Sequence, residues 1–444
     1  MIDYMRKKII IPLFDIREGN TRLKYLPIVR NELIKDKKII EEIQSDKIKK
    51  LIQYAYVNVP YYKKLYDYCG VNIYCIDDLT DIPLITKDDI RGYNKEFLSR
   101  EMDITSLMRT ATGGTTDSPV TLFYSKDCFS EKQACTLYFF EWFDYRPGDK
   151  IAYLWGAEQD YPSKMSLRGK IVNYLSVNGL FLPISYLNDS IMFDYYSRLK
   201  KFKPKVLQSY PTPLYIFSCF LERSNLRLDI PSINVTAEFL YDYQREKIEE
   251  VFQCKVFNWY GARELGHIAT ECREHRGMHV NAHSLFVEVL KDGKRVYDEE
   301  GEVVVTDLLN KAMPLIRYKI GDLGKLSTRK CRCGSSLPIL EDVGGRYVDS
   351  FKKRDGTLIP GVAFTNRVIK ENKEIKELQI IQTGYERFTL NIVRGNQYSN
   401  TALEHLKASI ERFMHEKIEF TVHFVDSIKR ERSGKVRFCK CEIQ

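Results

Sequence analysis

The sequence predicts an α/β protein: a large N-terminal α/β domain with mixed sheets and helical layers, plus a small C-terminal α+β domain. Three observations lead to this fold class. The chain has 444 residues, which is more than one compact core usually contains. Helical patterns alternate with short apolar strands over most of its length. Near residue 345 the pattern changes to a hairpin, an amphipathic helix and a strand.

The N-terminal part begins with helices. Between residues 38 and 68, apolar side chains recur every three or four positions, which predicts helices interrupted at Pro60. The stretch "LITKDDIRGYNKEFL" predicts another helix, because Thr86 can cap its N-terminus and acidic residues occupy its first turn.

From Pro119 onward, short strands and helices alternate. "VTLFYS", "KIAYLWG", "CKVFNWYG" and "GEVVVTDL" predict strands, and "LFVEVLKDGKRVY" predicts a hairpin that turns at Asp292–Gly293. "YQREKIEEVFQ" predicts a helix with Ile248, Val251 and Phe252 on one face. We therefore expect a buried sheet that is covered by helices.

The C-terminal part forms a separate pattern. "LQIIQTGYERFTLNIV" predicts a hairpin, "TALEHLKASIERFMHEK" an amphipathic helix and "IEFTVHFV" a strand. We divide the chain into an N-terminal domain over 1–345, a hinge over 346–349 and a C-terminal domain over 350–444.

The composition limits the classes of partner. A hydrophobic fraction of 44% and a charged fraction of 29% are typical of soluble globular proteins, and we expect a cytoplasmic location. No run approaches ~18 apolar residues, so we expect no transmembrane segment. The net charge of +9 is spread along the chain, which argues against nucleic acid but allows phosphate ligands or an acidic membrane surface. The sequence does not decide whether the protein forms a homo-oligomer.

The stretch "TATGGTTDSP" combines glycines with hydroxyl side chains. Such a loop can aim backbone N–H groups at a phosphate, although no Gly-Lys-Ser/Thr closes it as in a Walker loop. Taken alone, the signal is weak, because loops of this composition are mostly simple turns. The candidate phosphate-binding residues are Thr112, Gly113, Gly114, Thr115 and Thr116.

Four further segments follow this loop in order: "WYGARE", "MPLIRYKIGDLG", "GGRYVD" and "RSGKVR". Together the five segments resemble the motifs of the adenylate-forming superfamily, which includes the acyl-CoA synthetases. "YYKKLY", "IPLITKDDIR", "TAEFLYDYQR" and "IATEC…GMHV" are similar to the phenylacetate–CoA ligase branch, some of whose members are associated with capsular polysaccharide biosynthesis. The resemblance extends from about residue 50 to 440.

The resemblance implies a reaction in which a carboxylate attacks the α-phosphorus of ATP and pyrophosphate leaves. The acyl adenylate would then pass its acyl group to CoA after the C-terminal domain, acting as a lid, rotates. Lys435 would contact the α-phosphate and carboxylate oxygens, and Glu264 would hold Mg²⁺. Without the resemblance, Lys435 would be interpreted as a solvated lysine and Glu264 as a surface ion-pair residue.

The resemblance also implies a nucleotide site. Tyr260 would stack on adenine, and Asp322, at the end of a predicted strand, would bind the ribose hydroxyls. The alternatives are a buried tyrosine and a turn-stabilising aspartate. The further ATP-site residues implied are Ala237, Glu238, Gly261, Arg263 and Arg346, together with the glycine–threonine loop.

Three positions depart from the family pattern. Asp117 stands where a glycine is usual and adds negative charge near the polyphosphate. Arg263 replaces a common threonine and could contact phosphate instead. Val348 occupies a hinge position that is commonly Asp or Lys, which leaves the pivoting residue uncertain.

The cysteines indicate a metal site. "CRCG" and "ECREHRGMH" offer Cys331, Cys333, Cys272 and His279, and two close pairs of N or S ligands suit tetrahedral zinc. His275 is the substitute ligand if His279 faces elsewhere. Buried thiols and a core histidine are the alternative interpretation.

The acid substrate is not identified by the sequence. Trp155, Tyr210 and Tyr260 are candidate pocket residues and suggest an aromatic or otherwise apolar-walled site. Two rival hypotheses remain: a ligase that transfers the acyl group to an amine, forming an amide, and a zinc-stabilised binding protein without catalysis.

Overall fold

The computed structural model describes residues 2–72, 79–111, 120–155, 178–184, 187–341, 343, 350–354, 358–360, 374–395, 398–414, 416–428 and 439–443. It confirms the predicted fold class. A π-helical turn, Arg6–Ile10, joins the first two helices. The α-helices are α1 Ile2–Met5, α2 Ile11–Glu18, α3 Arg22–Leu33, α4 Lys37–Asn58, α5 Pro60–Cys69, α6 Lys87–Gly92, α7 Lys126–Phe140, α8 Asp189–Phe202, α9 Pro211–Arg223, α10 Asp242–Phe252 and α11 Asn400–Met414.

The strands form one large mixed sheet, one small sheet and two hairpins. They are β1 Met108–Ala111, β2 Thr121–Tyr124, β3 Ile151–Trp155, β4 Gly179–Pro183, β5 Val206–Ser209, β6 Ser232–Thr236, β7 Val256–Ala262, β8 Gly266–Glu271, β9 Met278–Val280, β10 Leu285–Lys291, β11 Lys294–Arg295, β12 Glu300–Asp307, β13 Tyr318–Ser327, β14 Ile339–Glu341, β15 Ser350–Lys352, β16 Leu358–Pro360, β17 Ile375–Gly384, β18 Arg387–Arg394, β19 Glu419–Phe424 and β20 Cys439–Cys441.

The large sheet has twelve strands in the order β11-β10-β12-β13-β14-β9-β8-β7-β6-β5-β3-β4. Strands β4, β3, β5, β6 and β7 are parallel, and pairing becomes antiparallel from β7 to β8. Ligands of open α/β sheets usually bind beyond the carboxyl ends of the parallel strands. The motif "WYGARE" runs from the end of β7 into the following turn, at the point where the pairing changes direction.

The C-terminal residues build their own four-stranded sheet, in the order β19-β18-β17-β20. Helix α11 packs on it through Leu406, Ile410 and Met414, all fully buried. These side chains join Phe351, Phe388 and other apolar groups in a core that contains only residues from 351 onward. Among the described residues, no helix is both long enough and apolar enough to cross a membrane.

Most local predictions are confirmed. Pro60 begins α5, and the hairpin turns at Asp292 and Gly293, both with positive φ angles, as a type I′ turn requires. Thr86 caps α6 with a complete capping box. That helix ends at Gly92, however, and the prediction that it continues to Leu98 was wrong. Residues 93–97, which come after Gly92, form turns instead. The N–H of Tyr61 on α5 donates to the carbonyl oxygen of Glu96 and holds this segment in place.

A buried ion pair joins the segment before α6 to the large sheet. The Arg317 guanidinium binds the Glu288 carboxylate, with Nε 3.2 Å from Oε2, and donates to the carbonyl oxygens of Thr80 and Ile82. The Glu288 side chain has no exposed surface. Removing one partner from a buried pair leaves an uncompensated charge, which is far more costly than losing an exposed pair.

We expect Arg317→Met to lower the free energy of unfolding by about 3 kcal/mol, because buried Glu288 keeps only its pair with Arg295 and two carbonyl oxygens lose their donor. Urea unfolding followed by circular dichroism measures this change. The matched control is Lys319→Met, two residues along the chain, whose pair with Glu302 is partly exposed. The control should change stability by less than about 1 kcal/mol. Equal effects from both variants would contradict the assignment.

Candidate nucleotide site and metal centre

Two residues of the predicted nucleotide site touch each other. The Tyr260 hydroxyl donates to Oδ2 of Asp322 at 2.7 Å. Tyr260 lies on β7 and Asp322 on β13, and three strands separate these two in the sheet order. The sheet must therefore curl to bring them together. Two motifs that lie 62 residues apart in the chain meet at this contact.

Asp322 lies in the middle of a strand and not at a strand end, so the sequence-based placement was wrong. Glu302 of β12 pairs with Leu323, whereas Val304 pairs with Lys319. Residues 320–322 thus bulge out of the ladder. Gly321 has φ +86°, which favours glycine and allows the chain to turn there. The bulge redirects the Asp322 side chain, a common use of such irregularities near functional sites.

Gly261 and Glu264 belong to the connection between β7 and β8. A Cβ on Gly261 would lie 2.8 Å from the carbonyl oxygen of Gly266, so the close approach of the two strands requires glycine. Arg263, Glu264 and Leu265 form the turn itself. Oε1 of Glu264 lies 3.4 Å from the Tyr318 hydroxyl. The Glu264 carboxylate is therefore held beside Tyr318, the first residue of β13. The bulge begins two residues further along that strand.

Tyr124 connects this turn to the base of the glycine–threonine loop. Its hydroxyl donates to the carbonyl oxygens of Glu264, at 2.6 Å, and Arg263, at 3.2 Å. Strand β2, which carries Tyr124, pairs with β1 so that Ala111 faces Thr121. The loop therefore leaves from a hairpin that is hydrogen-bonded to the Glu264 turn. Burial raises the pKa of Tyr124 well above its ordinary value, which keeps the phenol protonated as a donor.

A second support comes from Lys132 on α7. Its ammonium group donates to the carbonyl oxygen of Leu265 at 3.0 Å and pairs with Asp307 at 2.6 Å. The Asp307 side chain is fully buried. Sequence reasoning missed Tyr124, Lys132 and Asp307. Of these three, only Asp307 could have been noticed in the sequence, because it is a charged residue at the end of the otherwise apolar strand "GEVVVTD".

Ala237 and Glu238 follow β6. Because Thr236 pairs with Trp259, Ala237 emerges from the sheet beside Tyr260. Ala237 has φ +70°, an unfavourable conformation for a residue with a Cβ, and such strain is concentrated at functional sites. Oε2 of Glu238 accepts the backbone N–H of Thr212 at 3.1 Å, at the N-terminus of α9. Trp155 ends β3 and Tyr210 follows β5, and their ring centroids lie 4.7 Å apart.

Four predicted metal ligands converge. The ligand atoms of Cys272, His279, Cys331 and Cys333 all lie within 4.8 Å of one another. Cys272 follows β8, His279 lies on β9, and the other two precede β14. The pairing of His279 with Ile339 between β9 and β14 brings these segments together. A Cβ on Gly277 would lie 2.6 Å from the Ile339 side chain, so this approach also requires glycine.

The shape of the cluster suits a tetrahedral ion. The Cys272 and Cys331 sulfurs are 3.6 Å apart, and the Cys333 sulfur lies 3.4 Å from Nε2 of His279. Zinc–sulfur bonds of about 2.3 Å place two sulfurs about 3.8 Å apart in a tetrahedron. Burial lowers the pKa of His279 to about 4, so its imidazole is neutral at physiological pH and able to act as a ligand.

His275 is not part of the cluster. Its Nδ1 lies 3.3 Å from the Glu271 carboxylate. The remaining predicted positions lie outside the described residues: Thr112, Gly113, Gly114, Thr115, Thr116, Asp117, Arg346, Val348 and Lys435.

Comparison with known proteins agrees with this architecture. A family model described as the CapK C-terminal domain matches residues 351–442. Protein CapK of Staphylococcus aureus is 24% identical over 411 residues, covering 89% of this chain and 88% of the relative. Phenylacetate-coenzyme A ligase of Thermus thermophilus is 27% identical over 340 residues, covering 72% of this chain and 73% of that relative.

A crystal structure of 2-hydroxyisobutyryl-CoA ligase in complex with 2-HIB-AMP has a similar fold. The TM-score is 0.75 at 17% identity, with 92% of this chain and 90% of that chain covered. The chain therefore has the fold of the adenylate-forming ligases. Within that class it is a homologue of CapK and of the phenylacetate–coenzyme A ligases. These relationships support an enzyme of this class.

Proposed function

We propose that this protein activates a carboxylic acid with ATP, releases pyrophosphate and transfers the acyl group from the adenylate to CoA. The observation that carries the proposal is the hydrogen bond between Tyr260 and Asp322. It supports a single nucleoside site, in which the Tyr260 ring would stack on adenine and the Asp322 carboxylate would bind the ribose hydroxyls. We assign the reaction to the cytoplasm, which supplies ATP.

Charge neutralisation is the main task of this chemistry, because a carboxylate must approach the anionic α-phosphate. Glu264 would hold Mg²⁺, since a partly exposed carboxylate oxygen is a ligand that this cation prefers. Tyr124 and Lys132 support that role by fixing the turn on both sides of Glu264. We assign Lys435 to the α-phosphate, residues 346–349 to a hinge and residues 350–444 to a lid.

We expect Asp322→Ala to raise the KM for ATP by about 10- to 100-fold, because hydrogen bonds to a charged group contribute about 1.5–3 kcal/mol. ATP–pyrophosphate exchange with a panel of carboxylic acids measures this and tests the function itself. Tyr260→Phe is the comparison variant, since it keeps the ring and removes only the hydroxyl that contacts Asp322. An unchanged KM in Asp322→Ala would exclude the ribose role.

The acceptor could also be an amine, which would give an amide. Trapping with hydroxylamine reports the acyl adenylate, and a thioester assay reports transfer to CoA. Activity with hydroxylamine but none with CoA would favour the amine acceptor.

We also propose that the four-residue Cys/His cluster binds a structural zinc ion. Four protein ligands complete a tetrahedral shell and leave no open position for catalysis. Cys272 follows β8, His279 lies on β9, and Cys331 and Cys333 precede β14, while Glu264 precedes β8. The ion would therefore hold together the strands that support the Glu264 turn.

A further inference from the structure

The outward face of the first helical segment, residues 2–18, is apolar. Met5, Ile9, Leu13 and Ile16 follow one another at spacings of four, four and three, and so lie along one side of the helix. We call them, with Tyr4, the N-terminal stripe. All five side chains are exposed, from 44% for Met5 to 74% for Ile16.

The opposite face of this segment is buried and partly polar. Arg6 and Asp15 are almost inaccessible to solvent, and Asp15 pairs with Arg22 at 2.9 Å. Lys7 pairs with Asp149, and Gly148 packs so closely that a Cβ there would touch Ile11 at 3.0 Å. The helix is therefore fixed to the protein by a mixed face, which buries Ile11 together with Arg6 and Asp15.

The charges around the stripe are mainly positive. Among the exposed charged residues of 4–18, Lys7 is paired with Asp149, which leaves Lys8 and Arg17 against Glu18. Lys8 and Arg17 are exposed and stand next to Ile9 and Ile16 in the chain. An apolar helical face bordered by cations is the arrangement that binds an anionic lipid surface, with the apolar side chains inserted among the acyl chains.

We propose that the N-terminal stripe docks this protein peripherally on an anionic membrane surface. Lys8 and Arg17 would lie at the headgroups, and Tyr4 suits the interface because its ring is apolar and its hydroxyl polar. A second protein copy fits less well. Stable dimers bury about 800 Å² and 20–30 residues on each partner, and the stripe has five side chains on one helix.

Sedimentation with vesicles tests the proposal on the full chain. We expect binding to phosphatidylcholine vesicles that contain phosphatidylglycerol and weaker binding to phosphatidylcholine alone, and high salt should reduce the first to the level of the second. The double variant Leu13→Gln/Ile16→Gln should lower the partition coefficient at least about tenfold. Lys8→Gln/Arg17→Gln should reduce binding to anionic vesicles only.

The matched control is Val57→Gln/Phe193→Gln, which changes two exposed apolar residues elsewhere and should bind like the wild type. Thermal unfolding verifies that each variant is folded. Equal vesicle binding by Leu13→Gln/Ile16→Gln and the control would overturn the proposal, as would no binding by the wild type. A concentration-dependent dimer that the stripe variant abolishes, without vesicle binding, would assign the stripe to a second copy instead.

Discussion

Lys435→Ala is expected to reduce carboxylate-dependent ATP–pyrophosphate exchange by about 100- to 1000-fold. Removing one group that stabilises developing charge in a transition state typically has an effect of this size. The proposed role comes from the resemblance of "RSGKVR" to the C-terminal lysine motif of adenylate-forming ligases. Four residues further along the chain, Cys439 begins β20 and pairs with Ile380 of β17 in the C-terminal sheet.

Lys440→Ala is the matched control for this experiment. It removes the same charge from the same part of the chain, where Lys440 forms an exposed pair with Glu442. The control should retain wild-type exchange, and both variants should unfold at the wild-type temperature. Near-normal exchange in folded Lys435→Ala would contradict the catalytic role.

Cys331→Ser is expected to remove the bound zinc and to lower the unfolding temperature. The wild type should contain about one zinc ion per chain, because the cluster offers four ligands. In a chain of this length, a loss of about 3 kcal/mol corresponds to a decrease of roughly 3–4 °C in the unfolding temperature. Elemental analysis and thermal unfolding measure the two effects.

A chelator separates loss of the metal from loss of a buried side chain. It should destabilise the wild type and have no further effect on Cys331→Ser, since metal binding stabilises only the folded site. Cys69→Ser, which changes an exposed cysteine, should keep both zinc and stability. Protein purified without chelators that contains no metal would exclude the zinc site.

The sequence by itself determined the local elements. Pro60 begins α5, Thr86 caps α6, and Asp292–Gly293 turns the hairpin between β10 and β11. These features depend on interactions among residues close in the chain, which is why composition and spacing predict them. The same holds for the motif residues, whose identity and order indicated an adenylate-forming ligase before any contact was known.

The tertiary structure decided which residues meet. The sequence offered both His275 and His279 as ligands, and the pairing of β9 with β14 places His279 in the cluster. The bulge in β13 directs Asp322 toward Tyr260 although the pattern suggested a strand end there. Long-range strand pairing determines both outcomes.

The same reason explains Tyr124 and the N-terminal stripe. Tyr124 belongs to no motif, and it becomes relevant because its hairpin lies against the Glu264 turn. The sequence of residues 2–18 contains apolar and charged side chains but does not say which of them faces the protein. Docking against Gly148 and Asp149 turns Arg6 inward and leaves Leu13 and Ile16 outward, because a helix can bury only the side that packs against its neighbours.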